Sequence, residues 1–344
     1  MVMKKCMLLA LLAVLSVSGF AQEKRFALYG VAFYNLENLF DTTHDEGKND
    51  YAYLPDGNNR WDDFKYQSKL QNMSKVLSML AADKHPLGAA VIGVSEVENR
   101  GVLEDLLKQP ALSNRGYEIV HYEGEDRRGI DCGLFYNPKM FTLESSKLAP
   151  YIPENPADTV YKTRGFLIAA GEMGGERIAF IVNHWPSRGA ASPARERAGV
   201  QVRALKDSLL QDDPNLKVVI MGDMNDDPMN KSMAVALGAK RKAKDVKAHD
   251  LFNPWWNTLK KGYGTLLYRG KWNLFDQIVF TGNMLSEDRQ TLTYYKHEIF
   301  KRDFMFQTEG KYKGYPKRTH AGGVWTNGYS DHFPTIVYFI KEVK

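Results

Sequence analysis

The chain has 344 residues, 44% of them hydrophobic and 25% charged, with a formal net charge of +5. That composition is ordinary for a globular protein with a sizeable core, and the length suits one large α/β domain or two modest ones. No Pro/Ser-rich linker, low-complexity tract or fixed-period repeat interrupts it, which excludes solenoids and tail-like architectures.

The first residues, MVMKKCMLLALLAVLSVSGFAQEKRF, have two lysines, an apolar run from Met7 to Val17, and small residues before the Ala21–Gln22 bond. This is the layout of a secretory signal peptide over residues 1–21, so a secreted or periplasmic product is expected. The run is shorter than the ~20 residues that span a bilayer, and stable membrane insertion is not expected. Cys6 precedes the run, whereas a lipid-attachment cysteine would follow it. Cleavage would remove Lys4 and Lys5, taking the charge from +5 to +3, and would leave Cys132 as the lone cysteine of a disulfide-free chain. The slight positive balance suits an anionic partner without demonstrating one. A monomer is expected.

FALYGVAFYN reads as a first strand with a polar end. The polar and aromatic stretch from Asp41 to Trp61 is a long loop, expected to wall a functional cleft. FKYQSKLQNMSKVLSMLAA has helical periodicity, with Leu70, Met73, Val76, Leu77 and Leu80 on one side. AAVIGVSEVEN is a strand ending in acids, and RGVLEDLLK opens a second helix. YEIVHY and DCGLFYN are strand-like, and two further strands around Gly174–Gly175 read as a hairpin. Ser192 and Pro193 are the expected cap and first position of a long helix, SPARERAGVQVRALKDSLL. KVVIMGD, FDQIVFTG and FPTIVYFI complete the strands. The region from Lys240 to Gly264 reads as a helix plus an exposed loop. This alternation predicts an α/β domain with mixed sheets.

One grammar recurs. An apolar strand ends at once in an acid, an amide or a histidine, as in FYNLEN, VSEVEN, VNHWPSR, MGDMNDDP, LFDQIVF and SDHFP. Strand ends meeting at one rim would gather Asn35, Glu96, His184, Asp223, Asn225, Asp276, Asp331 and His332 around a single cleft. Carboxylates and carboxamides are hard oxygen ligands suited to Mg²⁺ or Mn²⁺, and histidines beside acids can handle protons. Neither a cysteine cluster nor an HExxH motif points to zinc in that cleft. The kit is that of a phosphoester-cleaving site.

The ordered motifs YNLENLFD, IGVSEVEN, RRGIDCGLFYN, VNHWPSR, GDMNDDP, FDQIVFT and YSDHFP resemble those of the endonuclease/exonuclease/phosphatase superfamily, the DNase I-like fold. The resemblance spans residues 26–341. It implies a four-layer α/β sandwich, with two packed mixed β-sheets flanked by helices, a divalent metal, and hydrolysis of a phosphodiester or phosphomonoester. By the same resemblance, Glu96 matches the main metal-ligating glutamate and Asn35 the amide that helps hold metal or phosphate, with Asp331 a further support for the metal. Asp223 matches the aspartate that orients or activates water, and Asn225 the amide at the scissile phosphate. His332 matches the histidine at the phosphate, held in its tautomer by Asp276, and His184 the second histidine near the leaving group.

Between the motifs, Arg188 has the planar fork that clamps phosphate oxygens, and Arg128 is a second phosphate candidate set against a plain strand-start salt bridge. Asp131 could position a proton or a metal-bound water. Glu37 would share a side with Asn35 if the first strand continued. Asp226 and Asp227 read as turn residues, Arg195 and Arg197 as helix-surface charges, and His44, His121 and His249 as structural or surface positions. The substrate is open between nucleic acid and a small-molecule, sugar-phosphate or lipid-headgroup phosphoester. The basic KRKAK and YKGYPKR, with Trp185, Trp255 and Trp256 as exposed stacking rings, favour nucleic acid.

Overall fold

A computed structural model describes residues 24–155 and 162–343; the leader expected over residues 1–21 lies outside the described residues. In chain order the elements are β1 (Arg25–Leu39), α1 (Asp63–Met79), β2 (Val91–Val97), α2 (Arg100–Lys108), β3 (Glu118–His121), β4 (Asp131–Tyr136), β5 (Phe141–Ala149) and β6 (Phe166–Met173). There follow β7 (Glu176–His184), α3 (Ser192–Asp212), β8 (Lys217–Asp223), β9 (Ala239–Lys240), β10 (Leu251–Phe252), α4 (Trp256–Lys260), β11 (Leu266–Tyr268) and β12 (Lys271–Asn273). The last are β13 (Asp276–Thr281), β14 (Thr293–Ile299), β15 (His320–Ala321), β16 (Val324–Trp325) and β17 (Thr335–Val343).

Two large mixed sheets result. One has the order β14-β17-β1-β2-β4-β3 and the other β5-β6-β7-β8-β13-β10-β9. Strand alternation builds the layers. Along β1, Val31 and Phe33 enter the core between the sheets, where they join Phe180, Val182, Met221 and Ile278 of the second sheet. Ala32, Tyr34 and Leu36 face the other way, into a core with Leu70, Met73, Val76 and Leu77 of α1 and Val102 and Leu103 of α2. On the far side, α3 packs Ala198, Val202 and Leu210 over Ala179, Ile181 and Ile220. Helix, sheet, sheet and helix are the four layers expected. Gly93 allows the sheets to close, because a Cβ there would lie 2.6 Å from the Met221 sulfur.

The apolar stripe of α1 is buried as its periodicity predicts, and the β6–β7 hairpin turns at Gly174 (φ 59°) and Gly175 (φ 74°). Three readings need correction. The cap of α3 is Ala191, with no side-chain cap bond, and Ser192 is already helical, its hydroxyl turned to Glu196 at 3.2 Å. The Lys240–Gly264 region holds the short strands β9 and β10, a 3-10 turn at Ala243–Asp245 and the short helix α4. Trp185 and Trp255 are buried rather than exposed, and the Trp255 indole N–H donates to the Ile278 carbonyl at 2.9 Å. Among the described residues, no helix is long and apolar enough to cross a membrane.

Candidate active site at the rim of the two sheets

Strand register builds the second sheet's share of the site. His184 pairs with Asp223 between the parallel β7 and β8, and Asp223 pairs with Asp276 between the antiparallel β8 and β13. His184 and Asp223 follow Val182 and Met221 by two residues, and Asp276 precedes Ile278 by two on the antiparallel β13, so alternation turns all three toward the first sheet as the intersheet core ends. Asn35 does the same from the other side, two residues after Phe33.

The two halves meet through Asn35. Its amide nitrogen donates to Asp223 Oδ2 at 3.1 Å and to Glu96 Oε1 at 3.3 Å. His184 Nε2 lies 3.6 Å from Asp223 Oδ2 and 3.7 Å from Glu96 Oε1. His332 Nδ1 is 2.7 Å from Asp276 Oδ2, and its Nε2 faces Asp223 Oδ2 and Asp331 Oδ1 at 3.9 Å each. His332 is fixed at its backbone, where its N–H donates to Ser330 Oγ at 3.1 Å and that hydroxyl donates to the Asn35 carbonyl at 2.7 Å.

Irregular backbone aims these groups. Glu96 (φ 58°) occupies a break in register between β2 and β4, and Asn225 (φ 50°), Glu37 (φ 49°) and Asn38 (φ 55°) are also left-handed. Non-glycine residues rarely adopt this region, and such positions gather at functional sites. The Glu96 turn is held by the Asn38 N–H, which donates to Glu96 Oε2 at 3.0 Å. The Asn225 turn is held by its own N–H on Asp223 Oδ1 at 2.9 Å and by its side-chain amide on the Trp185 carbonyl at 3.0 Å.

Burial and charge drive the two histidines apart. Burial holds His184 well below the ordinary histidine value, and Arg164 and Arg128 push the same way, leaving a neutral ring. Burial would lower His332 too, but Asp276, Asp223 and Asp331 outweigh it and raise the imidazole well above its ordinary value. Burial pushes the Asp223 carboxyl up to about 7, with His332 opposing and Asp276 adding to the rise.

Four of the remaining sequence candidates stand apart from this cluster. The positive φ of Glu37 breaks the alternation that would have joined it to Asn35. Its carboxylate instead accepts from Arg318 Nε at 2.9 Å and the Thr319 N–H at 2.7 Å, and burial with nearby Asp331 pushes it up to about 7. Asp331 bridges both groups, with Oδ2 3.0 Å from Arg318 Nη2. Arg188 is committed to the Asn225 turn, donating to the Asn225 carbonyl at 3.1 Å and Asn273 Oδ1 at 3.3 Å, with its plane over Phe275. Arg128 is half-exposed and 3.8 Å from Asp126. Asp131 alternates with Cys132, which enters the intersheet core, and so faces away from the site toward His121.

Sequence reasoning missed the support beneath the Asn225 turn. Asp226 and Arg195, read as turn and surface residues, are buried, and Arg195 Nε lies 3.0 Å from Asp226 Oδ2. It also missed Arg318 and Lys69. The Lys69 ammonium is buried and donates to Thr319 Oγ1 at 2.6 Å and the Tyr329 carbonyl at 2.7 Å. Burial lowers it to about 8. Its place within the helical stripe of Leu70 and Met73 gave no polar signal.

The donors fit a hard divalent cation. Glu96 offers a carboxylate 15% exposed at the rim, beside the Asn35 amide at 3.3 Å. Asp223, Asp276 and His332 also converge, with one donor atom of each within 4.8 Å of the others, but two of them are already engaged in the His332–Asp276 bond.

Two mixed sheets between helices, with a carboxylate–histidine–amide cluster at their rim, define a phosphoester hydrolase of the DNase I-like class. The sequence pattern of the Endonuclease/Exonuclease/phosphatase family matches residues 30–341, and the chain belongs to that family. An endonuclease/exonuclease/phosphatase family protein from Bacteroides thetaiotaomicron superposes with a TM-score of 0.55 at 16% identity, covering 93% of this chain and 97% of its own. D. rerio TDP2 complexed with a single-strand DNA product gives 0.53 at 15%, covering 91% and 99%. A mannosyl-6-phosphatase from B. thetaiotaomicron gives 0.53 at 16%, covering 92% and 100%. No curated protein matches the sequence.

Proposed function

We propose that the chain is a divalent-metal-dependent nuclease that cleaves phosphodiesters of single-stranded nucleic acid in an extracytoplasmic compartment. A cavity of about 510 Å³ beside the catalytic rim carries this reading. Its floor includes Arg318 and Asp331, and its walls present Tyr268, Tyr312, Arg269 and Lys311. Tyr268 is 59% exposed and Tyr312 39% exposed. Open aromatic faces beside cations are what a stacked base and its backbone require. Leu266, on the same wall, is bridged directly to His332. Tyr312, Tyr315, Pro316 and Arg318 of YKGYPKR line this cavity, so the proposed stacking faces are tyrosines rather than the buried Trp185 and Trp255. The extracytoplasmic placement is supported by the leader-like first residues.

Glu96, beside Asn35 and with Asp331 as a further ligand, would hold Mg²⁺ or Mn²⁺; when bound, the cation would neutralise charge building on the phosphate. Asp223, raised by burial, accepts a proton from the attacking water at Oδ2. His332, protonated through Asp276, presents Nε2–H to a phosphate oxygen. Neutral His184 stands on the opposite side of Asp223 and offers an N–H hydrogen bond to the leaving oxygen, which takes its proton from solvent water as the P–O bond breaks. Asn225 is held by Trp185 and Arg188 so that its turn approaches the phosphate.

The bounded cavity also admits a sugar phosphate, the small-molecule reading, and one panel separates the two. Single-stranded DNA, RNA, plasmid, mannose 6-phosphate, p-nitrophenyl phosphate and bis-p-nitrophenyl phosphate are compared with Mg²⁺, Mn²⁺ or EDTA. Oligonucleotides are expected to be the best substrates, with EDTA abolishing turnover. Tyr268→Ala and Tyr312→Ala should each lower kcat/KM on oligonucleotide roughly tenfold, since stacking is worth ~1–3 kcal/mol per base, and leave mannose 6-phosphate unchanged. Faster hydrolysis of mannose 6-phosphate than of any oligonucleotide would overturn the nuclease reading.

A further inference from the structure

Asp131 and His121 find each other on the face of the first sheet that points away from the catalytic rim. The His121 side chain is 2% exposed and the Asp131 side chain 5% exposed, with Nε2 and Oδ2 3.6 Å apart. That gap is too long for a hydrogen bond, and both atoms are buried without any other partner. Leaving two such atoms unsatisfied is costly, and a shared ligand removes the cost. Glu123 supplies a third donor, with Oε1 3.8 Å from His121 Nδ1, and one donor atom of each residue lies within 4.8 Å of the other two. The main chain wraps the carboxylate, because a Cβ on Gly124 would fall 2.4 Å from Asp131 Oδ1. Lys48 closes the far side of the loop, donating to the Gly124 carbonyl at 2.9 Å and the Asp126 carbonyl at 3.2 Å.

We propose that His121, Glu123 and Asp131 form a second metal site, distinct from the catalytic centre, that takes a borderline divalent cation with Zn²⁺ preferred. One imidazole nitrogen and two carboxylates form a three-ligand set for Zn²⁺, and with one donor atom of each within 4.8 Å of the others, the exposed Glu123 side chain would swing inward to complete it. The exposed Glu123 leaves a fourth position to water. The site would clamp the connection 122–130 between β3 and β4. That connection carries Asp126, which accepts from Arg164 Nη1 at 3.1 Å. Arg164 in turn donates to the Trp185 carbonyl at 2.8 Å, the same carbonyl that holds Asn225. The site is therefore structural, with a route to the catalytic turn.

The test is Zn²⁺ uptake by dialysed full-length protein, read by equilibrium dialysis with elemental analysis and by thermal shift. Mn²⁺ serves as the competing probe, and circular dichroism checks each variant's fold. His121→Ala and Asp131→Asn should each lose one bound equivalent relative to the parent. Glu123→Ala, altering an exposed side chain and safe for folding, should bind that equivalent at least roughly tenfold more weakly. In Glu96→Gln, the Zn²⁺-induced rise in Tm should persist. Equal uptake and equal thermal shift in the parent, His121→Ala and Glu123→Ala would overturn the site. So would a parent whose entire uptake disappears in Glu96→Gln.

Discussion

His184 and His332 sit on either side of one aspartate, yet their surroundings give them opposite charges. The difference is Asp276, whose buried carboxylate touches His332 at 2.7 Å, while His184 Nδ1 has no partner. An imidazolium buried beside carboxylates is a fixed proton donor, and a neutral imidazole is free to accept. Asp276→Asn keeps the shape and removes the charge, so the His332 pKa should fall. Histidine NMR on the metal-free protein would show this directly, and kcat should drop by roughly 10²-fold or more with the fold retained. An unmoved His332 resonance, or unchanged kcat, would remove Asp276 from its role. The residue types were legible from the motifs at strand ends. Their charge states were not, because burial and the 3.9 Å approach of His332 to Asp223 arise only when two sheets meet.

Among the elements, the turn after β8 shows what the sequence could not display. Asp223 and Asn225 were readable in GDMNDDP, because a buried strand running into acids and amides is unusual. Asp226 read as a turn residue, yet its carboxylate is buried and held by Arg195 at 3.0 Å and Ser232 at 2.7 Å. Its carbonyl accepts from Gln277 at 2.8 Å. Arg195 sits on α3, whose mixed pattern hides one buried arginine among exposed ones. Without Arg195 the buried Asp226 carboxylate keeps only Ser232 and the longer Arg188 contact at 3.5 Å, in a dry place. Arg195→Leu is therefore expected to cost about 3 kcal/mol in chemical denaturation, and adding Asp226→Asn should recover part of that loss. A single variant within 0.5 kcal/mol of the parent would place Arg195 outside the support. Tyr268 was not readable for a related reason, nor was a stacking role for Tyr312 within the basic YKGYPKR. They come from separate excursions, after α4 and before β15, and periodicity within either says nothing of the cavity they share.

At the scale of the molecule, the site exists only while the two sheets hold their relative position, since Asn35 comes from one and Asp223 from the other. Gly93 sets how closely they approach, and Glu176 fastens them at the end opposite the site. Glu176, at the start of β7, is 2.5 Å from Lys217 on β8 in its own sheet and 2.9 Å from Lys341 on β17 of the other. It also accepts from Thr291 and from the Leu292 N–H at 2.8 Å. Burial alone would raise its carboxyl, but these donors outweigh it and pull the pKa to about 2. A carboxyl depressed in the folded state adds stability above its ordinary value of 4.5, and that contribution is lost as pH falls toward about 2. Glu176→Gln should therefore lower Tm at pH 6, and the gap from the parent should narrow steadily below about pH 4.5 and close near pH 2. A gap constant across that window would mean Glu176 acts through packing, leaving the intersheet fastening to the apolar core alone.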